Sequence, residues 1–141
     1  MTFILDASVV GKYLVSEADS DKARALILDW ERGKTDVKAP EILVAEVASL
    51  LRKRVLRRLI PPLWAMELFQ RFEDLRVPLE RIEGLAGAAL ALSLKYHHSV
   101  YDGLYAAMAF RTGAELITAD EKLCTALQGS GVLVRLLSDW N

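Results

Sequence analysis

Cysteine and histidine are nearly missing from this chain, and their scarcity excludes more than the abundant residues do. A single cysteine, Cys124, permits no intramolecular disulfide and no cysteine-based zinc knuckle. The two histidines, His97 and His98, are adjacent. Neighbours in sequence rarely aim at one metal ion, so zinc is not expected. Neither charge is in excess: 18 Lys and Arg stand against 19 Asp and Glu, a formal net charge of −1. That balance excludes a histone-like cationic binder and an acidic solvating tail. Long apolar runs are lacking too. The longest uncharged one, Gly84 to Leu94, has 11 residues, where a membrane span takes about 20. Met1 to Asp6 has no cationic start and Asp6 interrupts its apolar run, so it does not read as a secretory signal. A soluble, cytoplasmic protein is expected.

What is present is a domain's worth of core. The 141 residues are 52% apolar, and a chain of this length buries about 68% of its unfolded surface. No linker, repeat or low-complexity segment divides it, so residues 1–141 are read as one domain. The four prolines punctuate it. Thr2 to Leu5 reads as a buried strand, and Asp19 to Arg32 as a helix with Ala23, Leu26, Ile27 and Trp30 on one face. Val37 to Ala39 suits a second strand, with Pro40 at the first position of a helix that runs to about Arg58. Pro61-Pro62 opens another helix, to about Arg76, and Val77-Pro78-Leu79 suits a third strand. Helices follow over Glu83–Tyr96 and Ser99–Thr112, the latter stopped by Gly113. Glu115 to Thr118 is a strand, Glu121 to Gln128 a helix, and Val132 to Leu136 a last strand. Strands separated by helices imply parallel pairing, and hence a three-layer α/β/α domain.

Three of the acids are isolated within apolar surroundings. Asp6 is the only one before Glu17, Glu46 the only one between Glu41 and Glu67, and Asp102 the only one between Glu83 and Glu115. The segments around Glu46 and Asp102 are apolar on nearly every side, as buried helices are. A carboxylate there is costly unless it is paired or meets a cation. Asp6 and Asp120 both fall just past strands, and open parallel sheets bind ligands beyond the carboxyl ends of their strands. Four carboxylates without His or Cys suit Mg²⁺ or Mn²⁺, and without a cation they would raise one another's pKa values.

Each acid also has a plainer reading. Asp6 turns the chain with Ser8 on nearby backbone, Glu46 pairs with a base, Ser99-x-x-Asp102 is a capping-box variant, and Asp120 caps the next helix. The four together favour a site. Glu41 is the rival of Glu46, but the two lie about 140° apart on a helix and only one can face it. Glu41 is explained by the dipole of the first turn, whereas Glu46 is not.

At these residues the sequence resembles the PIN-domain ribonucleases, and among them the VapC-type toxins of toxin–antitoxin pairs. Phe3-Ile4-Leu5-Asp6-Ala7-Ser8 is similar to the family's opening strand and first acid. Pro40 through Glu46-Val47-Ala48 to Leu51 is similar to its second motif, Tyr101 through Asp102 to Ala109 to its third, and Leu116 through Asp120 to Leu123 to its fourth. The likeness covers essentially the whole chain. Ser49 departs from a frequent Asn, and Gly103 from a usual Ala, at about 1 kcal/mol of helix propensity. The resemblance implies a five-stranded parallel sheet, divalent-metal-dependent cleavage of RNA, a homodimer and a cognate antitoxin of the VapB type. It implies that Asp6, Asp102 and Asp120 bind Mg²⁺ or Mn²⁺ directly, with Glu46 acting through water or positioning the nucleophile. Ser8 and Thr118 would orient the carboxylates.

Five bases, Arg52, Lys53, Arg54, Arg57 and Arg58, crowd into seven residues after Glu46. They read either as an RNA- or antitoxin-contacting arm or as a solvated face near a helix C-terminus. Tyr13, Tyr101 and Tyr105 suit base stacking or packing. Trp30 and Trp64 are expected in the core, Trp140 at the surface or a dimer contact, and Cys124 as a core thiol. His97 and His98 suit a loop or a helix cap. Gly84, Gly87, Ala88 and Ala91 would let helices approach closely. Two other functions stand beside the nuclease: a catalytically silent module binding RNA or protein, and an aspartyl-phosphate phosphatase. The second is weakened because Asp6-Ala7-Ser8 lacks a second acid.

Overall fold

The computed structural model describes residues 1–141. Five strands, β1 (Thr2–Leu5), β2 (Asp36–Pro40), β3 (Leu79–Glu80), β4 (Glu115–Thr118) and β5 (Val134–Leu136), form one sheet in the order β3-β2-β1-β4-β5. Every neighbouring pair is parallel. Seven helices connect them: α1 (Ala7–Leu14), α2 (Ser20–Glu31), α3 (Ile42–Leu56), α4 (Pro62–Leu75), α5 (Ala86–Tyr96), α6 (Val100–Thr112) and α7 (Glu121–Ala126). The expected three-layer α/β/α sandwich is what forms. No helix is long and apolar enough to cross a membrane.

The strand order explains the position of the site. From β1 the chain runs outward through β2 to β3, then returns past β1 to add β4 and β5 on the other side. The order reverses between β1 and β4, which opens a crevice at their carboxyl ends. Leu5 is in register with Ile117, so the next residues, Asp6 and Thr118, emerge side by side. Phe3, Ile4, Leu5, Leu116 and Ile117 are buried, because helices cover both faces of a parallel sheet.

Some boundaries differ from the sequence reading. Pro40 ends β2 instead of opening α3. The third strand is Leu79–Glu80, and a short 3₁₀ turn, Ile82–Gly84, precedes α5. Trp64 is 59% exposed rather than core, since the α3–α4 tip carries it into solvent, while Trp30 is packed against the core as expected. Trp140 is the reverse: it is buried edge-on against Phe3, ring centroids 5.1 Å apart. Cys124 is only half-buried. His97 is the C-cap of α5, in the left-handed region at φ 58°.

Gly103 is not a propensity defect. A Cβ built there would lie 2.6 Å from the Ala89 carbonyl oxygen and 3.1 Å from the Ala89 Cα and carbonyl carbon. Those are backbone atoms of α5, which cannot swing aside. The close approach of α5 and α6 therefore depends on Gly103 and the buried Ala89, whereas Gly87 faces open space.

Candidate active site

Asp6 follows β1 and occupies the N-cap position of α1, yet its side chain caps nothing. Its Oδ2 accepts two hydroxyl protons instead, from Ser8 Oγ and Thr118 Oγ1, both at 2.7 Å. Those hydroxyls accept in turn from the backbone beyond β4: Ser8 Oγ from the Ala119 N–H at 2.9 Å, Thr118 Oγ1 from the Asp120 N–H at 3.0 Å. Ser8 thus bonds backbone more than a hundred residues away, so a local turn does not account for Asp6. The carboxylate is buried, and burial pushes its pKa up. The bonds from Ser8, Thr118 and the Ala7 backbone oppose that rise, and the charge of Asp120 adds to it.

The remaining acids arrive from three other elements. Glu46, in the second turn of α3, is half-buried, and its Oε1 is enclosed without a hydrogen-bond partner. Burial raises its pKa, as do the charges of Asp6 and Asp102, against relief from the Tyr105 hydroxyl and the Lys53 ammonium. Asp102 lies in the first turn of α6, where Ser99 Oγ accepts its N–H at 3.0 Å. Its carboxylate is also raised by burial and then by Asp6 and Asp120, with Ser99 and His98 opposing. Asp120 caps α7, its Oδ1 accepting from the N–H groups of Lys122 and Leu123 at 2.9 and 3.2 Å. The capping reading holds for that oxygen, while the residue also lines the cleft. Glu41 is accounted for elsewhere, its Oε1 accepting the Ile82 N–H at 3.1 Å.

All four acids line one cleft of about 730 Å³. Its other walls include Ser8, Tyr101 and, beside Glu46, a single face of α3 and its C-cap: Ile42, Ala45, Ser49, Leu50, Lys53, Arg54 and Arg57. These α3 positions recur every three or four residues, the period of one helical face. The same arithmetic leaves Arg52 off the cleft. It borders an apolar groove with Leu51, Val55, Met66 and Phe69, and Arg58 lies past the helix at φ 58°. The five-residue arm is therefore divided, three bases toward the acids and two away. Arg54 is held by Glu17, its Nη2 donating to both carboxylate oxygens at 3.1 and 3.2 Å. Sequence reasoning missed Glu17, because the α1–α2 loop carries it and no local pattern links it to α3. Tyr101 is exposed on the cleft, whereas Tyr105 is fully buried and cannot stack on a base.

No three His, Cys, Asp or Glu side chains meet closely enough to form a metal cluster as they stand. The donor chemistry nevertheless fits a hard divalent cation: four carboxylates around one cleft, three of them raised by burial and by one another, and one enclosed oxygen without a partner.

Comparison with known proteins agrees with this geometry. The family profile described as PIN domain matches residues 3–126. The chain belongs to the PIN-domain family. The matched region carries all four acids and runs from β1 through α7. Ribonuclease VapC3 of Pyrobaculum aerophilum is 31% identical over 124 residues, 87% of this chain and 92% of the relative. Ribonuclease VapC12 of Mycobacterium tuberculosis is 35% identical over 121 residues, 85% of this chain and 88% of the relative. These relatives place this PIN domain with the VapC type. The crystal structure of VapBC2 from Rickettsia felis bound to a DNA fragment from their promoter aligns with a TM-score of 0.70. It covers 96% of this chain and 98% of that one at 15% identity, a likeness of fold.

Proposed function

We propose that this PIN domain, residues 1–141 as one unit, is an endoribonuclease dependent on Mg²⁺ or Mn²⁺ and acts as the toxin of a toxin–antitoxin pair. One observation carries the proposal: four carboxylates from separate elements line a single cleft at the β1/β4 switch point, with a basic helix face beside them. The names of the VapC relatives, both ribonucleases, support RNA as the substrate. A VapB-type antitoxin, a homodimer and a cytoplasmic location follow from the family resemblance, and the VapBC2 likeness supports the antitoxin.

Asp6, Asp102 and Asp120 would hold the cation, Asp6 fixed by Ser8 and Thr118 and Asp120 fixed by the α7 N–H groups. When bound, the cation would acidify water and offset charge developing on the phosphodiester. The protein's own groups do the rest. Lys53, Arg54 and Arg57 draw the RNA backbone toward the acids, and Tyr101 offers an exposed ring for a base. Glu46, whose hold on a proton is strengthened by burial, lines the cleft where it would position the attacking water and is suited to take its proton. Burial of Asp6 beneath two hydroxyls speaks against its use as a phosphoryl-accepting nucleophile.

The test is cleavage of end-labelled RNA by the purified protein, freed of any copurifying antitoxin. Cleavage with Mg²⁺ or Mn²⁺, lost in chelator and in Asp6→Asn, is expected. RNA binding without cleavage under every metal condition would support the silent module instead. A trapped phospho-Asp6 would support the phosphatase.

A further inference from the structure

Tyr105 is a polar side chain beneath the cleft that the reaction does not use. Its ring belongs to the core and it is 0% exposed, so substrate cannot touch it. Its hydroxyl nevertheless has no hydrogen-bond partner. Leaving such a buried group unpaired costs its full desolvation penalty, which presses it to close on an acceptor. The acceptors whose charge it feels are the carboxylates of Asp6, Glu46 and Asp102. Asp6 Oδ2 already takes two hydroxyl protons. Glu46 Oε1 is enclosed and also without a partner. The Tyr105 hydroxyl on α6 is thus a buried donor and Glu46 Oε1 on α3 a buried acceptor, each without a partner, and the two side chains are close enough to interact. Arg54 Nε, another unpartnered donor on α3, belongs to a guanidinium already held by Glu17.

We propose that Tyr105 is a positioning residue for Glu46: its hydroxyl donates to Glu46 Oε1, which turns the other carboxylate oxygen toward the cleft. The bond ties α3 to α6 beneath the site and leaves Glu46 one oxygen with which to orient water. Burial and the surrounding negative charge push the phenol far above its usual pKa, so it remains a donor across the working pH range. Because Tyr105 is three residues after Asp102, the same turn of α6 presents one acid to the cleft and buttresses another. The inference rests on the reading of Glu46 as a working residue of the site.

The experiment uses the full chain as wild type, Tyr105→Phe, Glu46→Ala and the double variant. Melting temperatures check that each one folds. Proton NMR of the metal-free protein gives a readout independent of activity. A slowly exchanging hydroxyl proton is expected in the wild type, absent in Tyr105→Phe and lost to solvent exchange in Glu46→Ala. In RNA cleavage, Tyr105→Phe should lower kcat about ten-fold at unchanged KM. In the Glu46→Ala background the same substitution should add less than about two-fold, because a residue acting through Glu46 has nothing left to position. A hydroxyl proton that is unprotected in the wild type, or indifferent to Glu46→Ala, overturns the proposal. So does an equal kcat loss in both backgrounds, the mark of a purely structural role. If the wild type cuts no RNA, the nuclease reading falls, while the hydroxyl proton still decides whether Tyr105 holds Glu46.

Discussion

Replacing Gly103 with alanine should damage the protein twice, against the rule that alanine improves a helix. Helix propensity alone favours the change by about 1 kcal/mol. The new Cβ would meet the Ala89 carbonyl oxygen at 2.6 Å, however, and ordinary contact begins at 3.4 Å, so α5 and α6 must part by about 0.8 Å. Overpacking a rigid contact costs about 1–3 kcal/mol, and backbone on the far side puts this case at the upper end. The net loss is about 1–2 kcal/mol. At about 2.1 cal/mol/K per residue of unfolding entropy, 141 residues convert each kcal/mol into about 3 °C. The melting temperature should therefore fall by about 3–7 °C. Asp102 adjoins Gly103 in the first turn of α6 and would move with it. Misplacement on the scale of 1 Å costs up to about 100-fold in rate. Differential scanning calorimetry and RNA cleavage measure the two effects, with Gly87→Ala as the control, since a Cβ there meets nothing within 4 Å. An unchanged or raised melting temperature for Gly103→Ala would refute the close-approach reasoning.

Other expectations concern charge. For a noncleavable 2′-O-methyl oligonucleotide, the log–log salt slope should fall by about 1.4 in Lys53→Ala/Arg57→Ala, two lost phosphate contacts at about 0.7 each. Arg52→Ala/Arg58→Ala, off the cleft, should leave the slope unchanged, and equal effects would dissolve the division of the arm. In chelator, stability should decrease as pH rises. Asp6, Glu46 and Asp102 have folded-state pKa values above their ordinary 3.8, 4.5 and 3.8, so the folded protein binds more protons. Their contribution is complete below those ordinary values and is lost as pH climbs through the raised ones. Thermal melts with and without Mn²⁺ check this: the cation should restore stability at neutral pH, and Asp6→Asn should flatten the dependence. A wild-type profile that rises with pH in chelator would contradict it.

The sheet and the four acids were legible because both obey strong rules. Phe3-Ile4-Leu5 and Leu116-Ile117 are continuous apolar runs, and an isolated carboxylate in an apolar helix demands a cation or a cleft. The basic arm reads in the sequence as one unit of five, and the structure divides it: Lys53, Arg54 and Arg57 fall on the helical face of Glu46 and Arg52 does not. The helical period carries that split, but it needs the cleft to give it meaning. Other features depend on contacts distant in sequence. Whether Trp64 or Trp140 is buried turns on where a hairpin tip and a chain end lie, and each helical or apolar pattern fits either outcome. The grip of Glu17 on Arg54 spans 37 residues. The need for Gly103 appears only when Ala89 is placed against it, and the Tyr105 hydroxyl looks like ordinary core until Glu46 faces it.

The most direct measurement compares the four acids with acids outside the cleft. Asp6→Asn, Glu46→Gln, Asp102→Asn and Asp120→Asn would be assayed on end-labelled RNA in Mn²⁺, beside Glu41→Gln and Glu121→Gln. Metal-dependent catalysis at this cleft predicts at least about a 100-fold loss in each of the four, with folding retained, and near wild-type rates in the two controls. Wild-type cleavage by Asp6→Asn or Asp102→Asn, or an equal loss in the controls, would contradict it.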